Sequence, residues 1–197
     1  MLGEDTKLGV LIKPYEDKKL RAQTYLDLNQ NKRKVDAVEI FRAALVAQKP
    51  FETELWNILQ RRGVDIQKLS GKKWPFIRGL DDVTTIHKHD PRPTGLLDLT
   101  LHVLKTAYET ADTKKREAAF QRGCLRMVSG FLNHVKQRTD LERLIKTVSS
   151  LPAWEWKHRY HSAESLLPDH HKGSFKYAGY LVLAKEYNKN LRKNKQV

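Results

Sequence analysis

Two asparagines and three consecutive cations stand together in the run Asn29-Gln30-Asn31-Lys32-Arg33-Lys34. Such a run beside a helix start can hold a phosphate, because backbone N–H groups and fixed positive charge converge there. Two further basic groups, Lys114-Lys115-Arg116 and Lys189 with Arg192 and Lys193, suit phosphate contact in the same way. The segment WEWKHRYH, 154–161, interleaves Trp154, Trp156 and Tyr160 with Lys157, His158 and Arg159. That mixture suits base stacking combined with phosphate contact. The same aromatics at helical spacing also suit a core, and tryptophans inward with cations outward would satisfy both.

Other chemistry is less well supported. Eight histidines include His158 and His161 at i, i+3, the adjacent His170 and His171, and the alternating His87 and His89. A structural zinc site recruits paired cysteines or an i, i+4 histidine pair with a carboxylate, and with one cysteine and no HExxH no metal is expected. Cys124 falls on the apolar face of its helix, where a small buried hydrophobe is the default. There is no GxGxxG, Walker loop or GxSxG, so no cofactor and no catalytic role are expected. Gly71-Lys72-Lys73 is a second, weak phosphate-friendly turn.

The 197 residues carry a formal net charge of +14. Residues 1–111 hold 19 cations against 15 anions, and 112–197 hold 18 against 8. A polyanion is the partner such charge attracts, with nucleic acid, and DNA rather than RNA, the expected one. Hydrophobic content of 40% fits a folded protein. No apolar run approaches the roughly 18 residues needed to cross a bilayer. The first residues carry acids where a leader peptide would carry lysines, so no membrane association and a cytoplasmic location are expected.

Helical periodicity must position these residues. Helices are expected over 16–29 (Leu20, Tyr25, Leu26 and Leu28 inward), 36–48 (capped by Asp36) and 51–62 (ending at Gly63). Residues 64–80 lose the helical period and read as a turn flanked by short extended pieces. Asp81 is expected to cap a short helix reaching His89, followed by the punctuation HDPRPTG, 89–95. After it Leu97, Leu101, Leu104 and Tyr108 mark a helix, and further helices are expected at about 113–138 (Phe120, Cys124, Met127, Val128, Phe131 and Val135 inward), 140–151 (opened by Asp140) and 174–193, with aromatic-rich 153–167 between the last two. The fold class is therefore mostly α, a compact multi-helix domain with a short extended or turn region at 64–80. An extended arm (1–15) precedes a single helical domain (16–193, with a candidate sub-boundary at 89–95), and 194–197 form a basic tail.

The run RAQTYLDLNQNKRKVDAVEIFRAALVAQKPFETELWNILQRRGVDI, 21–66, resembles the region following the nucleotide-binding core of ParB/sulfiredoxin-like proteins of phages and plasmids. Members show a helix ending in an LxLN.N.R pattern, then FRA, then IL...G. AAFQRGCLRMVSGFL and LVLAKEYNKNLRK resemble their later helices. The family's Glu-Asn-x-x-Arg motif, which contacts nucleotide phosphates, aligns with Leu28 to Lys32. Asn29 matches, Lys32 stands for the arginine with Arg33 beside it, and Leu28 replaces the glutamate. The family's Asp-Gly-Gln-His-Arg core has no counterpart upstream, where only LGVLIKPY, 8–15, resembles a last strand. The resemblance implies a non-enzymatic nucleic-acid-binding protein equivalent to the family's C-terminal helical part. Its phosphate contacts would come from Asn29, Lys32, Arg33, Lys34, Lys114, Lys115, Arg116, Lys157, Arg159, Lys189, Arg192 and Lys193. The alternative is a phage-encoded interaction or inhibitor protein whose basic surface binds an acidic host protein or blocks a nucleic-acid channel.

Overall fold

A computed structural model describes residues 17–29, 36–66, 74–78, 80–135, 139–169, 175–189 and 191. Among these the protein is mostly helical, with ten α-helices and one two-stranded sheet. None of the helices is long and apolar enough to cross a membrane. The chain divides into two units, residues 1–53 and 54–197.

In the first unit, α1 (Lys18–Asn29) pairs with α2 (Ala37–Val46). Asp36 caps α2 as expected, its carboxylate accepting from the backbone N–H of Val38 at 3.0 Å. The contact is built from small residues, Ala22 and Leu26 packing with Ala44 and Ala47. Leu20 and Tyr25, expected inward, are instead 48% and 38% exposed. The buried stripe runs through Ala22 and Leu26, the latter as expected, and the side chain of Leu28 lies outside the described residues. After α2 the backbone turns at Gln48 (φ 56°), and Lys49 N–H donates to Ala44 O at 2.9 Å. This is a left-handed stop that a non-glycine residue adopts at a cost of about 1–2 kcal/mol.

Helix α3 (Pro50–Arg62) places proline at its first position, where the missing N–H removes no helical bond. It ends at Gly63 (φ 60°), where Gly63 N–H donates to Gln60 O and Val64 N–H to Leu59 O, both at 2.9 Å. The expected extended region contains β1 (Asp65–Ile66) and β2 (Phe76–Ile77), paired in parallel with Asp65 opposite Phe76. The Gly71-Lys72-Lys73 turn lies outside the described residues. Helix α4 (Asp81–His89) begins one residue earlier than expected: Leu80 is its N-cap without a side-chain bond, and Asp81 occupies the first turn. The punctuation at 89–95 lies within the second unit, where it leads directly into α5 (Leu96–Tyr108). Asp90 holds this corner, accepting from Arg92 Nε and Nη2 at 2.7 and 2.8 Å and from Leu96 N–H at 3.1 Å.

The long helix expected over 113–138 is broken. A single turn, α6 (Thr113–Arg116), is followed by turns at 117–121 and then by α7 (Arg122–Val135). Between them the backbone closes in three-residue turns, Ala119 N–H donating to Arg116 O at 2.9 Å and Gln121 N–H to Ala118 O at 3.1 Å. Arg116 lies over the Trp74 ring at 4.8 Å, and Phe120 meets the same ring edge-on at 5.9 Å. Three helices complete the unit: α8 (Leu141–Ser149), capped by Asp140, α9 (Ala153–Ser165) and α10 (Phe175–Tyr187).

Helix α7 is the centre of this unit, packed against α4, α5, α9 and α10. Its expected apolar face, Cys124, Met127, Val128, Phe131 and Val135, is buried, and Gly123, Ser129 and Gly130 are buried as well. The closest crossing is with α10. A Cβ on Gly179 would lie 2.5 Å from Met127 O, 2.7 Å from Arg126 O and 3.0 Å from Gly130 Cα. Only glycine fits against rigid backbone at that distance. Gly179→Ala is accordingly expected to destabilise the protein by about 3 kcal/mol through forced separation of the two helices. The shift in urea midpoint measures it, and a shift of nearly zero would refute the close crossing.

Candidate nucleic-acid interface

The geometry of the aromatic and basic segment begins one helix earlier. The single Tyr108 hydroxyl proton is shared between Val148 O at 3.0 Å and Leu151 O at 2.9 Å, and Trp156 Nε1 donates to Val148 O at 2.8 Å. These bonds satisfy carbonyls at the end of α8 that have no helical partner, and they fix where α9 starts after Pro152. Burial pushes the Tyr108 hydroxyl pKa up, keeping it protonated and able to donate. The inner face of α9 is Ala153, Trp156 and Tyr160, all fully buried. Helical geometry, about 100° per residue, sets Trp154 about 200° away from Trp156. Trp154 is 50% exposed, with the His158 ring edge-on at 6.2 Å. The two readings of this segment therefore divide between residues: Trp156 and Tyr160 are core, and Trp154 is surface.

The expected phosphate contacts fall into separate groups. Lys114 and Lys115 are exposed on α6, which packs against α9, and Lys115 Nζ lies 3.7 Å from Asp112. Arg116 does not share their surface but lies over Trp74. Lys157 is half-buried and donates to Gln121 Oε1 at 2.9 Å. Arg159 bonds Glu155 at 2.7 Å, approaches Glu186 at 3.5 Å and covers the Trp156 ring at 5.3 Å. Lys189, beyond the end of α10, is exposed at 3.9 Å from the same Glu186. Asn29 closes α1 in the first unit. Lys32, Arg33, Lys34, Arg192 and Lys193 lie outside the described residues.

Sequence alone hides how many cations work inside the fold. Arg126, 13% exposed in its side chain, joins Asp82 of α4 at 2.7 Å and Glu164 of α9 at 3.7 Å. Arg143 donates to Tyr187 O at 2.8 Å and Lys189 O at 2.7 Å. Lys105 donates to Arg62 O at 2.8 Å, at the end of α3. The described residues hold 23 cations and 20 anions, whereas the remaining segments hold 14 and 3. The described residues are close to charge balance, and the rest of the sequence carries most of the +14.

Asp98 is the clearest buried charge. It lies in the first turn of α5, 2% exposed, and accepts from Arg61 Nη2 at 2.7 Å, Arg62 Nε at 2.8 Å and Arg62 Nη2. Burial works to raise its pKa, but the hydrogen bonds and charges of Arg62 and Arg61 prevail and hold it below the usual carboxylate value. His87, fully buried on α4, is shifted down by burial, against the pull of Glu54 (3.8 Å) and Asp90. His89 is lowered by burial and by Lys176. Burial raises the Cys124 thiol to about 12, with Sγ directed at Ala153 O (3.1 Å), so it is an unreactive core group.

Among the described residues no group of three or more histidine, cysteine or acidic side chains is arranged to hold a metal ion. His158 faces Trp154, while His161 lies 3.6 Å from Glu164. One arrangement escaped sequence reasoning. An open trough of about 1350 Å³ runs past His89, Asp90, Arg92, Asn133, His134 and Tyr180, with His134 stacked on Tyr180 at 3.8 Å. Its volume exceeds that of ordinary enclosed small-molecule pockets, about 300–1000 Å³. The residues come from α4, α7, α10 and the 90–95 corner, and the only signal in the sequence is the HDPRPTG punctuation.

Comparisons with protein-family models, with curated proteins and with solved structures gave no match.

Acidification should unfold the protein in two stages. A group with a depressed folded pKa contributes stability that is complete above its unfolded value and is lost as pH falls. For His87 and His89 the loss starts near 6.5, and for Asp98 near 3.8. Urea midpoints measured against pH should show both stages, the first made shallower by His87→Gln. Asp98→Asn should cost about 2–3 kcal/mol at neutral pH and flatten the second stage, the half-exposed arginines limiting the loss.

Proposed function

We propose that the protein binds nucleic acid without catalysing a reaction, mainly through contacts to backbone phosphates, with DNA as its ligand. The observation that carries this reading is the charge distribution. The chain carries a net charge of +14 and contains basic runs such as Lys32-Arg33-Lys34 and Arg192-Lys193, and runs of this kind displace counterions from a polyanion. On the helices, exposed Lys114 and Lys115 extend the same chemistry. The resemblance of residues 21–66 to the part of ParB-like proteins after their nucleotide-binding core agrees with this reading. In that view Asn29 and Lys32 keep a phosphate-facing junction, without the glutamate that nucleotide chemistry uses.

A second reading has its own support. Tyr177 and Leu181, one turn apart on α10, are 42% and 48% exposed, and Leu166 after α9 is 84% exposed. Exposed apolar groups on a basic protein also suit an acidic protein partner. Pull-down after nuclease treatment separates the readings, since a stoichiometric protein partner retained under those conditions favours the second.

For the leading reading, DNA affinity should fall steeply with added salt, the logarithmic slope being about −0.9 per phosphate neutralised on a duplex. The combined change Lys32→Ala, Arg33→Ala and Lys34→Ala should flatten that slope by about 2–3. Replacing Arg126, buried in its ion pairs, should lower stability. Absence of binding at low salt would overturn the proposal.

A further inference from the structure

We propose that Trp154 is a base-stacking platform and that the ligand of this face is single-stranded nucleic acid. This rests on the nucleic-acid reading above and narrows it. The placement of the indole follows from the core. Trp156 is tied to Val148 O and fully buried, and Cys124 holds the backbone of Ala153, so the start of α9 is fixed on both sides of Trp154. The side chain must therefore face outward, on a rigid helix, and binding has little conformational freedom to remove there. An indole half open to solvent, with His158 edge-on beside it, presents a large flat apolar surface.

The charge around this face matches a polyanion. Glu155 is neutralised by Arg159 at 2.7 Å, Asp112 by Lys115 at 3.7 Å and Glu117 by Arg78 at 3.4 Å. With Lys115 beside Asp112, the cation that α6, the element packed against α9, adds in excess is exposed Lys114. Cations next to an exposed aromatic form the combination that holds single strands, phosphates on the former and bases on the latter. Bases in a duplex are stacked on one another and cannot reach a ring on a convex helix surface. A single strand presents open base faces, so the platform discriminates by strandedness and not by sequence.

The test uses the full chain, a labelled oligothymidylate and a labelled duplex of matched length, read by fluorescence anisotropy. Trp154→Ala should weaken oligothymidylate binding about 5- to 150-fold, the worth of one stacked base, and leave duplex affinity unchanged. Trp154→Phe should restore most of the loss. Circular dichroism should show all three proteins equally folded, as expected for a surface position. Unchanged oligothymidylate binding by Trp154→Ala, or equal losses on both polymers, would overturn the platform and leave nucleic-acid binding standing. Failure of the wild-type chain to bind either polymer would overturn the nucleic-acid reading itself.

Discussion

The contact of α10 on α7 at Gly179 is the constraint on which the second unit depends. Backbone meets backbone there, so the two helices cannot shift or roll without a clash or a void. With α10 so close, α7 keeps its other faces for α4, α5 and α9. A helix surrounded in this way has no room for a polar exposed side, which explains why Gly123, Ser129 and Gly130 accompany its large apolar residues in the core. Arg122, Asn133 and His134 near its ends keep access to solvent, while mid-helix Arg126 finds carboxylate partners on α4 and α9, so one cation cross-links three helices. The position of α9, and with it the outward direction of Trp154, follows from that arrangement.

Polar bonds then refine what packing places. Val148 O accepts from both Tyr108 and Trp156, so the end of α8 is joined to α5 and α9 at one oxygen. Arg61 and Arg62 converge on Asp98, and Lys105 covers the last turn of α3, so both ends of this contact carry charge-assisted bonds. Such bonds are strong where partly desolvated, and each leaves a costly orphan if one partner is lost. They set the register between helices that apolar contact alone would leave loosely defined.

Much of the helical framework was legible because local signals agree. Asp36 and Asp140 each cap a helix, Gly63 stops one, and the 3.6-residue period marks Leu97, Leu101, Leu104 and Tyr108 as buried. The break at 117–121 was not legible, because EAAFQ contains no proline or glycine and Arg116 and Phe120 stand at helical spacing. The same limit applies to the candidate interface. Composition marked 154–161, but choosing which tryptophan is buried required Val148 O, a partner outside the segment. Arg116, Lys157 and Arg159 looked available to a ligand. Each is engaged by a neighbour that only the fold supplies, and Lys114 and Lys115 stayed exposed because α6 is a single surface turn.

The near balance of charge among the described residues has an evolutionary consequence. They build the packing and contribute only +3 of the net +14, from 23 cations and 20 anions. Exposed cations such as Lys114 and Lys115 can be gained or lost, changing attraction to a polyanion, without crossing the core's narrow tolerance for volume. Substitutions in the core can be selected for folding without altering the long-range field. A lineage built on this scaffold can change its ligand quickly while its helices stay nearly constant.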